Sequence, residues 1–406
     1  MDTCIFDGCG IDFSCVAGGA LSYSTVDGAS DYATIGLPSG STVTQSIFSN
    51  CSTVFSSGCP TTLTKCIFYN YSTAGCDVST QLSDDPLYCN SREGLPGKYT
   101  LRIDSPAAKY NNTWGVQIGA KGVECAWGSL VRDAVVDVDA SVFGLEDVTI
   151  PTGKILTVKE GVTFKWDDDD NSAGGDDTVE NELIVCGKLR MNGTSSKPVT
   201  LTSSKTTPAE GDWTGVVVTS NAAAKIDHAM IKYAEDGVRA VYTADSTTVS
   251  NCTLLSNQLD DVTVAGDTTH AVSISSNTVT VGSGIGISVS AARATVSGNT
   301  VTCNSSSVYG LELAAQDSQM VSANTVQSAS LGSALWVGSN ANKTPAVQSN
   351  SFINSKNGIQ CVNSKARIGA SSHVNTITGN TVGVLATAPM LYPRCAITIF
   401  HPTRLV

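Results

Sequence analysis

The sequence predicts an all-β chain whose longer part is a solenoid of stacked β-rungs. Two observations carry this. A six-residue pattern returns about every 25 residues, and a second apolar-alternating pattern keeps step with it. Neither shows a helical period, so each turn is built from strands whose backbones pair with the turns above and below, about 4.8 Å away.

The first pattern is an apolar residue, two small or polar residues, a special position, a small residue and another apolar one. It appears as Ile226-Asp227-His228-Ala229-Met230-Ile231, and returns as Val249 to Leu254, Ile274 to Val279 and Val296 to Val301. Val321 to Val326, Val347 to Phe352 and Ile377 to Val382 continue it. The fourth positions fall at 229, 252, 277, 299, 324, 350 and 380. The second pattern is a small or turn residue before alternating apolar residues: Gly237-Val238, Asp261-Val262, Gly284-Ile285, Gly310-Leu311, Ala334-Leu335, Gly358-Ile359 and Gly383-Val384.

The shared period puts Asn277, Asn299, Asn324, Asn350 and Asn380 in one column at a bend. Asn tolerates left-handed backbone there, and its amide can bond the amide of the next rung. The column reads as a structural ladder with no part in chemistry.

On these residues the chain resembles the right-handed parallel β-helix repeat proteins of the pectin-lyase-like superfamily, over about 145 to 390. The runs Pro151-Thr152-Gly153 to Gly161-Val162, Gly187-Lys188-Leu189 to Ser203, and Gly211-Asp212-Trp213-Thr214-Gly215-Val216 resemble an opening module of secreted and cell-surface members. The resemblance implies a right-handed parallel β-helix and is silent about chemistry.

Residues 1–140 do not share the period and read as a Cys-rich region of short β segments and loops. Residues 141–390 form the solenoid. Residues 391–406, with apolar Ala396 to Phe400, read as a tail that caps the solenoid or packs on another subunit. Of 14 Cys, eight precede residue 90: Cys4, Cys9, Cys15, Cys51, Cys59, Cys66, Cys76 and Cys89. Their spacing is irregular, no C-x-x-C occurs, and the four His stand apart, which argues against zinc. An even set in a Gly/Ser/Thr-rich segment reads as a disulfide framework of open connectivity, hence an oxidising, extracellular or cell-surface location. Cys186, Cys252, Cys303 and Cys361 lie in alternating strands and read as small buried hydrophobes. The sequons at Asn50, Asn70, Asn111, Asn192, Asn251, Asn304 and Asn342 fit secretion as a glycoprotein. The start, Met1-Asp2-Thr3-Cys4, lacks a basic segment and an apolar run, and reads as a mature chain with an added Met or a fragment.

Composition narrows the partners. The 406 residues hold 36 Asp+Glu against 24 Lys+Arg, a net charge of −12. Nucleic acid and anionic membrane surfaces require a basic face, and no run approaches the roughly 18 apolar residues that span a bilayer.

The superfamily includes polysaccharide lyases and hydrolases. The best carboxylate pair is Asp236 and Asp260, at one phase of adjacent rungs, with Glu235 and Arg239 close by. Carboxylates one rung apart could serve a glycosidase or hold Ca²⁺, and solvated turn residues are the plainer reading. Ile226-Asp227-His228 matches part of a pectate lyase motif, but Lys225 stands where that motif has Trp. The polygalacturonase Asn-Thr-Asp, Gly-His-Gly and Arg-Ile-Lys runs are absent, as is the pectate lyase Arg-x-x-Arg. The acidic run offers Asp167, Asp169, Asn171, Asp176 and Asp177 as oxygen ligands for Ca²⁺, or is a solvated loop. Trp213, Tyr309 and Trp336 could stack sugars if exposed, with packing as the default.

The first expectation is therefore a secreted structural protein, a rod-like subunit of a surface, matrix or filament assembly joined head to tail, with no cofactor or at most Ca²⁺. The alternative is a carbohydrate-active β-helix enzyme acting through Asp236, Asp260 and Arg239, or a glycan-binding adhesin.

Overall fold

The structure, a computed structural model, describes residues 2–8, 18–28, 36–37, 40–56, 58–89, 98–137, 142–167, 175, 177–243, 247–266, 271–304, 309–314, 316–328, 332–338, 343–370 and 372–387. The described residues contain strands and turns and no helix. The chain divides into two compact units, 1–126 with 131–141 and 127–130 with 142–406. Residues 391–406 lie outside the described residues.

The second unit is a parallel β-solenoid with three ladders. Ile155–Lys159, Lys188–Asn192, Ala223–Asp227, Thr247–Ser250, Ala271–Ser275, Arg293–Ser297, Met320–Ser322, Ala346–Gln348 and Arg367–Ile368 stack in one. A second runs from Thr163–Trp166 to Thr376–Thr378, and a third from Val142–Ile150 to Val382–Thr387. The hexad is thus a strand, a bend and a strand, and the second pattern is the third side of each coil.

Alternation places one column of each ladder inside. Ile226, Val249, Ile274, Val296, Val321, Val347 and Ile368 pair in register along the first ladder. All are buried. Each such side chain contributes roughly 1.5–3 kcal/mol by leaving water, so repetition of one column accounts for much of the core.

The Asn ladder forms at the first bend, with two corrections. Asn277, Asn299, Asn324 and Asn350 are buried and bond in sequence, but the next member is Asn375: Asn350 N–H donates to Asn375 Oδ1 at 2.9 Å. Asn380 instead accepts Ser355 N–H at 2.8 Å at the following bend. The last coil pairs Ile377 with Phe352, so its hexad is displaced by one strand. The positive φ also falls one residue before the ladder, at His228, Asn251, Ser276, Ala323 and Ser349. The left-handed residue turns the chain, and the next side chain points inward to meet the neighbouring coil. One motif is also displaced: Val262 pairs with Ile287, so Gly286-Ile287, not Gly284-Ile285, keeps the phase.

The first unit shows how the short β segments of residues 1–140 are ordered. Its strands Ile5–Asp7, Thr25–Asp27, Ile47–Ser49 and Ile67–Tyr69 form one parallel sheet, and Ala20–Ser22, Thr42–Thr44 and Thr62–Thr64 another. The registers advance by 20, 22 and 20 residues, so this is a second, shorter-period solenoid. Phe48 stacks on Phe68 at 4.9 Å, and Phe55 meets both edge-on. Its bend uses the same device: Thr3, Tyr23, Gln45 and Lys65 have positive φ, each before an inward Cys or Ser. Cys4 N–H donates to Ser24 Oγ and Ser24 N–H to Ser46 Oγ, both at 3.2 Å.

That architecture also revises the cysteines. Cys89 is bonded to Cys125, outside the eight, with Cα atoms 5.9 Å apart. Pairing of Arg102 with Cys125 and of Tyr88 with Leu101 brings them together. Cys51 and Cys66 point into the core, where Cys51 Sγ donates to Ser49 O and Cys66 Sγ to Thr64 O, each at 3.3 Å. Burial pushes the Cys66 thiol up to about 12. Cys4, Cys59 and Cys76 are thiols, and Cys9 and Cys15 lie outside the described residues. Cys252, Cys303 and Cys361 are buried.

Candidate functional site: an outward face of the third ladder

Along the third ladder the inward residues are Val238 and Ala240, Val262 and Val264, Ile287 and Val289, Leu311 and Leu313, Leu335 and Val337. Between each pair one side chain must face out. These are Arg239, Thr263, Ser288, Glu312 and Trp336, paired in register on successive coils. Beside them runs a second column containing Asp236, Asp260, Ile285 and Tyr309. The structure therefore gathers Asp236, Asp260 and Arg239 on one face, with an aromatic pair and a further carboxylate.

The carboxylates differ in what holds them. Asp236 Oδ1 accepts the Asp260 N–H at 3.1 Å, and its Oδ2 lies 3.6 Å from Arg239 Nε. Burial raises its proton affinity, and Asp260 and Glu235 add to the shift, against Arg239 and the Asp260 N–H. Asp260 Oδ1 accepts Ile285 N–H and its Oδ2 accepts Thr263 Oγ1–H, both at 2.9 Å. Both Asp260 oxygens are thus tied to the turn, which makes it a poor nucleophile and a good staple. Glu312 is half-buried, and burial followed by the Asp260 charge raises its proton affinity. Sequence reasoning missed Glu312, although it holds the phase of Arg239 and Trp336 after Gly310-Leu311.

Tyr309 and Trp336 lie on adjacent coils with ring centroids 5.8 Å apart and planes inclined by 28°. The indole folds over Gly338, where a Cβ would come 2.2 Å from Cη2. It lies along the sheet surface with part of its area in solvent. Trp213 does not join them: it is buried, stacks on Trp166 at 5.2 Å and donates from Nε1 to Lys232 O.

The remaining candidates scatter. Of the acidic run, Asp169, Asn171 and Asp176 lie outside the described residues. Asp177 Oδ1 caps the Val179 and Glu180 N–H groups at 2.7 and 3.3 Å, and the Asp167 carbonyl accepts Asn181 Nδ2. Among the described residues no three His, Cys, Asp or Glu side chains converge on a metal position. His228 is the left-handed bend residue, its Nδ1 3.2 Å from Asp227 Oδ1. The neighbouring Cys252 thiol faces inward onto Ser250 O at 3.1 Å and Ile226 O at 3.6 Å, so this imidazole and thiol serve opposite sides of the wall. Among the sequons, Asn50, Asn70, Asn192, Asn251 and Asn304 are exposed. Asn111 Nδ2 is committed to Ile103 O and Ser105 O, its Oδ1 to Val135 N–H, and a glycan there would break these bonds. Asn342 lies outside the described residues.

Three stacked ladders and an outward polar face define a parallel β-helix protein. The chain belongs to the family described as periplasmic copper-binding protein (NosD), whose model matches residues 170–380. Among solved structures it is similar to the A-module of the Azotobacter vinelandii mannuronan C-5 epimerase AlgE4, at 10% identity and a TM-score of 0.37, covering 68% of this chain and 91% of that one. No curated protein sequence matches it. The neighbouring His228 and Cys252 do not fit a copper centre: copper favours imidazole and soft sulfur in one shell, and these two groups face opposite sides of the β wall.

Proposed function

We propose that the outward face of the third ladder binds a glycan. The observation that carries this is the Tyr309–Trp336 pair lying along the sheet beside Glu312. Sugar rings present apolar C–H faces to aromatic planes and hydroxyls to carboxylates, and this face offers both within about one rung spacing. Burial raises the proton affinity of Asp236 and Glu312. With Glu235 and Asp260 alongside and a net charge of −12, the face favours neutral or basic sugars over uronates. The family's description as periplasmic supports an extracytoplasmic location, and secretion to the cell surface is the finer form of that reading. Copper binding, which the same description names, draws no support from the described donors.

Affinity electrophoresis through gels containing neutral, basic or uronate polysaccharides tests the proposal. The wild type is expected to be retarded by a neutral or basic glycan. Trp336→Ala should weaken that binding about tenfold, equivalent to about 1.4 kcal/mol. Equal migration in every gel would remove the proposal.

A head-to-tail assembly is the second reading, supported by the last described coil. Val374 and Val382 there are 41% and 37% exposed. Light scattering across a concentration series, with Val382→Lys as control, distinguishes self-association from a monomer.

A further inference from the structure

We infer that Cys59 and Cys76 are the two halves of a second disulfide, which closes the last coil of the first unit under oxidising conditions. The argument begins with the third side of that coil. Val54 N–H donates to Thr73 O at 2.9 Å, Phe55 N–H to Ala74 O at 3.0 Å, and Thr73 N–H to Ser52 O at 3.0 Å. Ser52 to Phe55 and Ser72 to Gly75 are therefore neighbouring parallel segments, about 4.8 Å apart. A Cys follows each at its exit, in Ser56-Ser57-Gly58-Cys59 and in Ala74-Gly75-Cys76. The Thr53–Thr73 bridge sets Cys76 opposite Ser56, and Cys59, three residues farther along, still places its Sγ against Gly75 O, next to Cys76.

The local packing brings the thiols together. Gly75 has φ +76°, and a Cβ on it would come 1.8 Å from Phe55 O, so only glycine lets the two segments close. Cys59 Sγ then lies 3.7 Å from Gly75 O, and the Cys59 and Cys76 thiols are in hydrogen-bond contact. They differ in access. Cys59 is exposed, whereas Cys76 is half-buried and its thiol is pushed up to about 12, first by burial and then by Cys59. Cys59 is thus the residue that meets an external disulfide, and Cys76 the one that resolves it.

The bond forms by two exchanges with a disulfide oxidant. Cys59 sulfur attacks one sulfur of the oxidant, forming a mixed disulfide and expelling one thiolate. Cys76 sulfur then attacks the Cys59 sulfur, forming the intramolecular bond and expelling the second thiolate. The two cysteine protons pass to the two departing thiolates, so two thiols are oxidised and one disulfide is reduced. The cross-link fixes one wall of a cavity of about 380 Å³ lined by Phe68, Tyr71, Cys76, Val78 and Leu82.

The test uses the full chain, incubated with oxidised glutathione, alkylated, digested without reductant and mapped by mass spectrometry. Cys89–Cys125 serves as the internal control. The expected product is a peptide pair joining Cys59 to Cys76, two hydrogens lighter than the separate peptides and released by dithiothreitol. Oxidised wild type should melt about 5 °C or more above Cys59→Ser, Cys76→Ser and the double variant, which should melt alike. Recovery of Cys59 and Cys76 both alkylated while Cys89–Cys125 is joined, or of either cysteine joined elsewhere, would overturn the inference.

Discussion

A single oxygen of Asn299 receives two donors from Asn277: the side-chain amide at 2.9 Å and the backbone N–H at 3.0 Å. Asn299 Nδ2 in turn donates to Ile274 O at 2.9 Å, and its backbone N–H to Asn324 Oδ1 at 3.0 Å. From Asn277 to Asn324 each corner is thereby bonded by the buried side chain of the next.

Asn299→Ala breaks this chain in the middle. It removes the acceptor of the Asn277 N–H and of one Asn277 amide hydrogen, and the donor to the Ile274 carbonyl, at about 1–3 kcal/mol for each buried group left unpaired. Urea denaturation of the variant should show a loss of about 3 kcal/mol or more. Asn380→Ala, at a less buried bend, should cost about 1 kcal/mol. Equal losses at the two positions would show that the ladder is not cooperative.

Asp261 stands at an inward position where neighbouring coils have Gly237, Gly286 and Gly310. Asn257 Nδ2 donates to its Oδ1 at 2.7 Å. Burial, and then the charges of Asp260, Glu210 and Asp236, push its carboxyl up to about 8. The unfolded chain loses this proton near pH 4 and the folded chain holds it to about pH 8. In that window the folded state binds more protons, so stability falls as pH rises and then levels off. Asp261→Asn should remove this slope and stabilise the chain at pH 8, with the gain vanishing toward pH 4. Melting curves across that range check both signs.

Asp104 and Arg102 form a bidentate pair in the first unit, Nε to Oδ1 at 3.0 Å and a terminal nitrogen to Oδ2 at 2.9 Å, both side chains buried. Asp104 Oδ2 also accepts Val131 N–H at 2.8 Å. Asp104→Ala removes the bidentate carboxylate from a buried guanidinium and should cost about 3 kcal/mol. Replacing both partners by apolar residues of similar volume should recover much of that loss, which a double-mutant cycle measures.

The glycan face was partly legible. Asp236, Asp260 and Arg239 are found by phase alone, because equal offsets from a shared apolar column land on the same side of successive coils. Glu312 holds that phase too. Its neighbours in sequence, however, give no reason to connect it with residues some 70 positions earlier. The two cysteine roles were not legible either: Cys66 and Cys89 belong to one irregular series, yet one lines the core and the other crosses to Cys125. The first solenoid was within reach. Thr42-Val43-Thr44-Gln45-Ser46-Ile47-Phe48 and Thr62-Leu63-Thr64-Lys65-Cys66-Ile67-Phe68 repeat at 20 residues, out of step with the hexad that recurs about every 25.

By itself the sequence determined that this chain coils. Apolar residues recurring at one spacing can leave water together only by stacking, and a repeated column repeats the free-energy gain at every turn. The tertiary structure alone decided which corner Asn375 and Asn380 occupy, which thiols meet, and that Trp336 lies on the surface while Trp213 is buried. Those outcomes depend on loop lengths between coils and on which side of a pleated strand a residue falls. A single-residue slip reverses that side without changing composition or period.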